Sequence, residues 1–498
     1  MNGDAPFVRY GSTTGRWVLA ATVLGSGLAF LDGTVVNVAL PAIAEDLDTE
    51  LSGLQWTLDA YLVTLSALLL LGGSLGDLYG RRRMFVLGLI AFTLASVLCG
   101  AAPTIELLIG ARALQGAGAA LLVPGSLAII SASFHPDDRG RAVGAWSGLA
   151  GISTAIGPFL GGWLIDALSW RLIFLINVPL AAVAVVVATG HVPETRDLGS
   201  TQRPDLPGAV AVSLGLGGLA YALIEGTSAM TAATWAAAAL GIACLAVFVA
   251  VEARRRHPML PLEVFRSRQF AGANLTTLAV YTGLGGATFL LVLQLQLVLG
   301  YSALEAGAAL LPVTLLMLAL SSRAGNLAQR VGPRLPMTLG PLLVGVGLVL
   351  FARVGPGSTY ATSVLPGTVV FGLGLALTVA PLTATVLAAV HEHHLGVASG
   401  FNNAVARVAG LLAVALLPAL VGLETGSPVA FSAGFADALH IAAGICLVGA
   451  GVAWATIRTT KAVPGTVQAD VQHPCHDPCR AVPAGVKPAG TKPAAAKP

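Results

Sequence analysis

The chain has 498 residues, of which 55% are hydrophobic and only 10% charged, and its formal net charge is +3. Soluble domains carry about 25% charged residues, so this composition excludes a water-soluble enzyme, a disordered chain and a nucleic-acid binder. A membrane β-barrel would alternate polar and apolar residues in segments of about ten, whereas this chain has long unbroken apolar runs, with 60 Gly and 28 Pro of the kind membrane helices tolerate.

A helix needs about twenty apolar residues to cross a bilayer. Fourteen such runs follow one another, at 17–40, 54–76, 84–102, 105–131, 142–167, 171–190, 207–226, 232–252, 270–299, 304–322, 335–354, 362–389, 398–421 and 435–457. The first is too long for the apolar core of a cleaved signal. The loops sort by charge. One side holds Arg81, Arg82, Arg83, Arg139, Arg141, Arg196, Arg203, Arg254 to Arg256, Arg266, Arg268, Arg323, Arg330 and Arg334, with Arg9, Arg16, Arg458 and Lys461 at the termini. The other side is acidic, with Arg171 and Arg353 as its basic residues. The positive-inside rule then puts both termini in the cytoplasm.

A charge at bilayer depth costs at least about 2.5–3.5 kcal/mol on insertion scales, which makes it a candidate functional residue. Asp32 lies mid-span in Phe30-Leu-Asp-Gly-Thr-Val-Val-Asn37, and Asp59 lies in span 2 in Gln55-Trp-Thr-Leu-Asp-Ala-Tyr61, nearer a span end where it could face water. Arg112 opens Arg112-Ala-Leu-Gln115-Gly116 in span 4. Asp32, Asp59 and Arg112 are the candidates for proton coupling, because a nearby cation and desolvation pull a carboxyl's proton affinity in opposite directions. A static Asp32–Arg112 pair is the alternative. Arg407, in span 13, is expected to reach back to the cytoplasmic interface.

Span 2 ends in Gly73-Ser-Leu-Gly-Asp77-Leu-Tyr-Gly80-Arg81-Arg82-Arg83, and span 10 ends in a weaker copy, Gly325 to Arg334, with Gln329 where the first copy has an acid. The repetition indicates an internal duplication: two six-helix bundles, residues 17–190 and 270–458, separated by an extra helix pair at 207–252. Residues 1–16 form a short cytoplasmic segment and 459–498 a disordered cytoplasmic tail rich in Pro, Ala and Lys. Inverted and parallel repeats of this kind suit a transporter with a site between the halves. Span 5 carries Gly148, Gly151, Gly157, Pro158, Gly161 and Gly162, a pattern for a kinked, closely packed helix. Polar candidates for a substrate cavity are Asn37, Tyr61, Gln115, Asn274, Gln294, Gln296, Asn402 and Asn403; about half should be interhelical contacts, and Gln294 and Gln296 cannot face one cavity.

Cys99, Cys244 and Cys446 fall in apolar runs, so no disulfide framework is implied. His391-Glu392-His393-His394 reads as a solvated loop. His473 to Cys479 has zinc-ligand residue types, but its two prolines argue against a site, and no metal or cofactor is expected. No phosphate-binding loop is present, which disfavours ATP drive.

At these residues the chain resembles the major facilitator superfamily, and within it the fourteen-span drug:proton antiporters. The resemblance runs over roughly 17–458. Gly73 to Arg83 is similar to the loop signature after span 2, Arg112 to Gly116 to that of span 4, Gly148 to Gly162 to the span-5 antiporter signature, Leu31 to Pro41 to that of span 1, and Trp170-Arg171 with Asn177-Val-Pro179 to the entrance of span 6. It implies a proton-driven exporter of amphipathic, antibiotic-like compounds, not an enzyme, in the cell membrane. Asp32 would bind H⁺ or a cationic substrate, and Arg112 would tune it. Gly73, Asp77, Gly80 and Arg81 would form a gating latch, with Asp77 against the helix start near Ala398-Ser399-Gly400. Arg81 to Arg83 would hold anionic headgroups. A proton-coupled uptake symporter and a non-transporting sensor or scaffold are the alternatives.

Overall fold

The computed structural model describes residues 7–196, 205–227, 230–255, 260–390, 395–423 and 427–458. The tail 459–498, with Cys475 and Cys479, and His391 to His394 lie outside the described residues. Among the described residues there is no strand beyond one isolated bridge, Val8 to Phe134, and fourteen helices are long and apolar enough to span a membrane. They are α1 (Thr13–Asp46), α2 (Leu51–Tyr79), α3 (Arg81–Gly100), α4 (Ile105–Ser133), α5 (Pro136–Ala167), α6 (Leu172–His191), α7 (Leu206–Glu225), α8 (Ala232–Arg254), α9 (Arg268–Val298), α10 (Ala303–Val331), α11 (Arg334–Phe351), α12 (Tyr360–Ala388), α13 (Leu395–Val421) and α14 (Pro428–Thr456). The chain is a multi-pass membrane protein.

Local chemistry sets the helix starts. Side-chain oxygens of Ser12, Thr104, Ser267 and Ser427 each accept a hydrogen bond from a first-turn amide of the helix that follows. Ser302 and Glu305 form a reciprocal capping box at α10. Three helices are irregular: α6 breaks at Ile176, α10 at Leu310, and α9 carries two π turns, Ala287–Leu291 and Gln294–Val298. Several helices run past the apolar windows of the sequence by up to a turn or two, since caps and not hydropathy end them.

The duplication is visible in packing. In the first half α2 and α3 lie on α4, and α1 lies on α5; in the second, α10 and α11 lie on α12, and α9 on α13. The halves meet through α2 against α13 and α5 against α10, the equivalent pairs. Gly80 after α2 and Gly332 after α10 both turn with positive φ, +109° and +89°, which L side chains adopt only under strain.

Contact between the halves is concentrated at the end remote from the termini. There Gln296 Nε2 donates to Val38 O at 3.1 Å and Gln55 Nε2 to Val414 O at 2.6 Å. Asp166 accepts from the backbone amides of Ala303 and Leu304 at 3.2 and 2.9 Å. One apolar cluster runs through both halves here, from Val35 to Ile43 and on to Leu290, Ala306 and Phe435. At the terminal end the core splits in two, one cluster around Phe85, Phe92 and Phe134 and another around Phe270, Met337 and Ile457. The cleft between the halves therefore opens toward the terminal end.

The extra pair, α7 and α8, docks through α7 alone. Val63, Leu216, Ala220 and Leu411 join it to α2 and α13, and Trp56 Nε1 donates to Glu225 at 2.9 Å. Helix α8 buries only Thr234, Gly241 and Glu252. A Cβ on Gly241 would stand 3.0 Å from both Gly215 O and Leu219 N of α7, so Gly241→Val should cost about 1–3 kcal/mol and lower the melting temperature of the purified protein. Gly444→Ala, where an added Cβ meets nothing within 4 Å, should leave it unchanged.

Candidate functional site

Five helices converge on Asp32. Its carboxylate is fully buried and accepts from Arg112 Nη1 at 2.5 Å on one oxygen, and from Gln115 Nε2 at 2.8 Å and Asn177 Nδ2 at 3.3 Å on the other. Arg112, 1% exposed, also donates to Thr57 O at 3.0 Å and to Gln115 Oε1 at 2.6 Å. Its guanidinium lies over the rings of Tyr61, 4.3 Å from the centroid, and Phe174, at 5.7 Å. Ser96 Oγ receives both amides, from Gln115 at 2.7 Å and Asn177 at 3.1 Å. Tyr61 in turn donates to Ala29 O at 3.2 Å.

The local sequence explains this convergence. Arg112 and Gln115 are one turn apart on α4 and share a face. Asn177 opens the second segment of α6 immediately after its break at Ile176, so the amide enters the core where backbone pairing is interrupted. Buried ion pairs gain little net stability from Coulomb attraction once desolvation is counted, but removing one partner is strongly destabilising. Here the amide donors and aromatic faces complete the solvation of both charges.

Asp59 does not face water. It is fully buried, about 12 Å along α2 from its start, and among the described residues neither carboxyl oxygen has a hydrogen-bond partner. The helix start at Leu51 carries it deeper than the apolar window implies. An ionised carboxylate without a partner is far too costly in such a setting; the neutral acid is the form it accommodates.

Arg407 also departs from expectation. Helix α13 begins at Leu395, so Arg407 lies about 18 Å in, half-buried, with its guanidinium 5.5 Å from the Phe30 ring of α1. It points across the cleft to the other half and not back to the interface.

In the loop after α2, Asp77 pairs with Arg81 one turn on, at 2.8 Å to Nε and 2.7 Å to Nη2. No contact joins it to Ala398-Ser399-Gly400 among the described residues: the neighbouring guanidinium satisfies its charge. Gly80 makes the turn, and a Cβ there would meet Glu194 Oε1 at 2.7 Å. Glu194 and its neighbours strap the loop, accepting from Arg82 N at 3.1 Å and lying 3.6 and 3.7 Å from Arg82 and Arg83, while Arg82 Nη1 donates to Val192 O. Gly73 faces Pro124 of α4 at 3.8 Å.

The small residues of α5 divide between two neighbours. Gly157 and Gly161 admit Thr34 and Val35 of α1, Gly162 lies against Ala303 and Leu304 of α10, and the Pro158 carbonyl abuts Gly307. Gly148 borders open space. The run is thus the seam between α1 and α10 at the closed end, giving way to the open cleft.

The cavity candidates do not form one set. Gln115 and Tyr61 belong to the Asp32 cluster. Gln294 donates to Val354 O and Ser432 Oγ, and Gln296 to Val38 O, on opposite sides of α9. Asn402 donates to Asn274 Oδ1 and Thr277 Oγ1, and Asn274 to Phe270 O. Asn37 and Asn403, both half-buried, donate only within their own helices, to Gly33 O and Ser399 O. Ser96, Phe174, Glu194 and the inward turn of Asn177 were not identified from the sequence; neutral residues carry no burial cost large enough to mark them.

The Major Facilitator Superfamily family model matches residues 22–414. The puromycin resistance protein pur8 of Streptomyces alboniger is 35% identical over 91% of this chain and 94% of its own length. The tetracenomycin C resistance and export protein of Streptomyces glaucescens is 33% identical over 82% of this chain and 76% of its own length. Among solved structures, an auto-inhibited POT family peptide transporter superposes with a TM-score of 0.69 over 91% of this chain and 99% of that one, at 16% identity, a likeness of fold.

The cluster predicts asymmetric mutational costs. Asp32→Asn leaves the Arg112 charge buried without a counter-ion and should destabilise the purified protein by about 3–5 kcal/mol. Asp32→Asn with Arg112→Gln should recover much of that loss in a thermal melt, because both charges leave together.

Proposed function

Because the chain belongs to the major facilitator superfamily, and is a transporter of small molecules and not an enzyme, we propose that it exports antibiotic- or drug-like amphipathic compounds from the cytoplasm in exchange for protons. Two relatives that it matches over most of their length are named for resistance, one of them also for export. The reading sets the protein in the cell membrane with both termini in the cytoplasm, where its arginine-rich loops belong. The open cleft then faces the cytoplasm. Arg83, 72% exposed at its side chain, would meet anionic headgroups.

The observation that carries the proton-coupled part is the contrast between the two buried acids. Asp32 is saturated by a cation and two amides, whereas Asp59 has no hydrogen-bond partner among the described residues. We assign proton carriage to Asp59, the buried carboxyl without a hydrogen-bond partner among the described residues, and charge pairing to Asp32. Alternating access moves the two halves about the α2–α13 and α5–α10 contacts, with Gly157, Pro158, Gly161 and Gly162 as the sliding seam. Opening the remote end breaks the seal next to Gln55, one turn from Asp59, and admits water to the carboxyl region. Exchange of protons with the external side there, and with substrate on the cytoplasmic side, couples the cycle to a gradient worth about 2.3 kcal/mol per charge per 100 mV. The loop at Asp77 and Arg81 gates the cytoplasmic end.

In everted vesicles with an imposed pH gradient, Asp59→Asn and Asp32→Asn should each reduce protonophore-sensitive accumulation of a resistance-panel compound to the vesicle background while the protein remains in the membrane fraction. Transport by Asp59→Asn equal to the parent would remove that residue from the proton path.

A further inference from the structure

The charge inventory of the cleft points to the chemistry of its ligand. Asp32 and Arg112 cancel one another, and Asp59 is sealed from solvent. Arg407 is different. It lies halfway along α13, is half-buried, and has no hydrogen bond or ion pair among the described residues; the Phe30 ring lies 5.5 Å from its guanidinium, and Tyr61 and Tyr281 are within its electrostatic reach. A cation over an aromatic face recovers less than the cost of holding a charge within a membrane span. The residue also cannot lean on the closed seam, since Phe30, Gly33 and Asn37 form one stripe of α1, Gly33 has open space beside it, and Asn37 bonds only its own helix.

An apolar cavity of about 390 Å³ adjoins the same helix. It is walled by Phe401, Ala404, Val405 and Val408 of α13 with Leu70 of α2 and Val212 of α7, on another face of α13 from Arg407, and neither Arg407 nor Phe30 lines it. Within the cleft itself Arg407 stands beside the aromatic face of Phe30. We propose that Arg407 is the specificity-determining residue of the transport site and that it selects amphipaths bearing an anionic group, a carboxylate or sulfonate, whose apolar part rests against Phe30. The guanidinium fork matches such oxyanions in two parallel hydrogen bonds, and the substrate supplies the counter-ion that the protein does not. This deepens the export reading and rests on it. It also gives the ligand a charge opposite to that of the cationic substrate which the resemblance implies for Asp32.

The test uses the full chain in nanodiscs with two probes, fluorescein as an anionic amphipath and tetraphenylphosphonium as a cationic one. The wild type should bind fluorescein. Arg407→Gln should weaken that binding by about tenfold or more, Arg407→Lys should keep most of it, and neither change should weaken tetraphenylphosphonium. Arg407→Gln can be compared with Arg407→Lys for folding by thermal melt, so a fall confined to fluorescein is read on an intact protein. A wild type that does not bind fluorescein, an Arg407→Gln variant that binds it undiminished, or equal losses for both probes would each overturn the assignment. Protonophore-sensitive efflux in vesicles is scored separately: its absence in the wild type would sink the export reading, whereas its presence with an unaltered probe preference in Arg407→Gln would sink only the role of Arg407.

Discussion

The contact between Arg112 and Asp32 constrains everything around it. Two charges inside a low-dielectric slab must neutralise each other and still have every remaining donor and acceptor satisfied. That requirement recruits α2 through the Thr57 carbonyl and the Tyr61 face, α3 through Ser96, and α6 through Asn177 and Phe174. Five of the first six helices are held in register by one polar knot, so the first half behaves as a rigid body. The second half has no equivalent among the described residues. Its polar contacts are neutral, such as Asn402 to Asn274 and Thr277. The duplicated scaffold therefore carries unequal chemistry, with the charged machinery on one side and, facing it across the cleft, a lone arginine.

How the halves meet is equally specific. The seal at the remote end is made of backbone carbonyls and amides: Val38, Val414, Ala303 and Leu304 receive or supply the cross-half hydrogen bonds. Side chains on one half thus read the main chain of the other. Such contacts need close approach, which the glycines of α5 and Gly307 provide. They can be made and broken without burying a new charge, as a reversible gate requires.

Much of this was legible in the sequence because membrane insertion penalises charge so heavily. Asp32, Asp59 and Arg112 stand out in apolar runs, and the fourteen spans follow from length and hydropathy alone. The partners of Asp32 did not stand out. Ser96 and Asn177 are neutral and cheap enough to sit anywhere in a span, and only the break at Ile176 turns Asn177 inward. The depth of Asp59 and Arg407 was misjudged for one shared reason: hydropathy windows begin where apolar residues begin, while α2 and α13 start about a turn earlier, at Leu51 and Leu395. The Asp77 latch was placed by resemblance against the far half in one conformation; in this one, open at the terminal end, Asp77 pairs with the guanidinium of Arg81 four residues away.

Helix α8 has a different consequence. It packs on α7 along the Gly215, Gly218 and Gly241 crossing, is tied at its end where Glu252 accepts from Leu260 N at 2.9 Å, and presents most of its other flanks outward. A rod fastened along one edge transmits little torque, so the rearrangement of the two halves leaves it a passenger. Its outward positions answer to the surrounding acyl chains and to little else, which frees that stretch of sequence to drift among hydrophobic residues while the Gly–Gly crossing stays fixed.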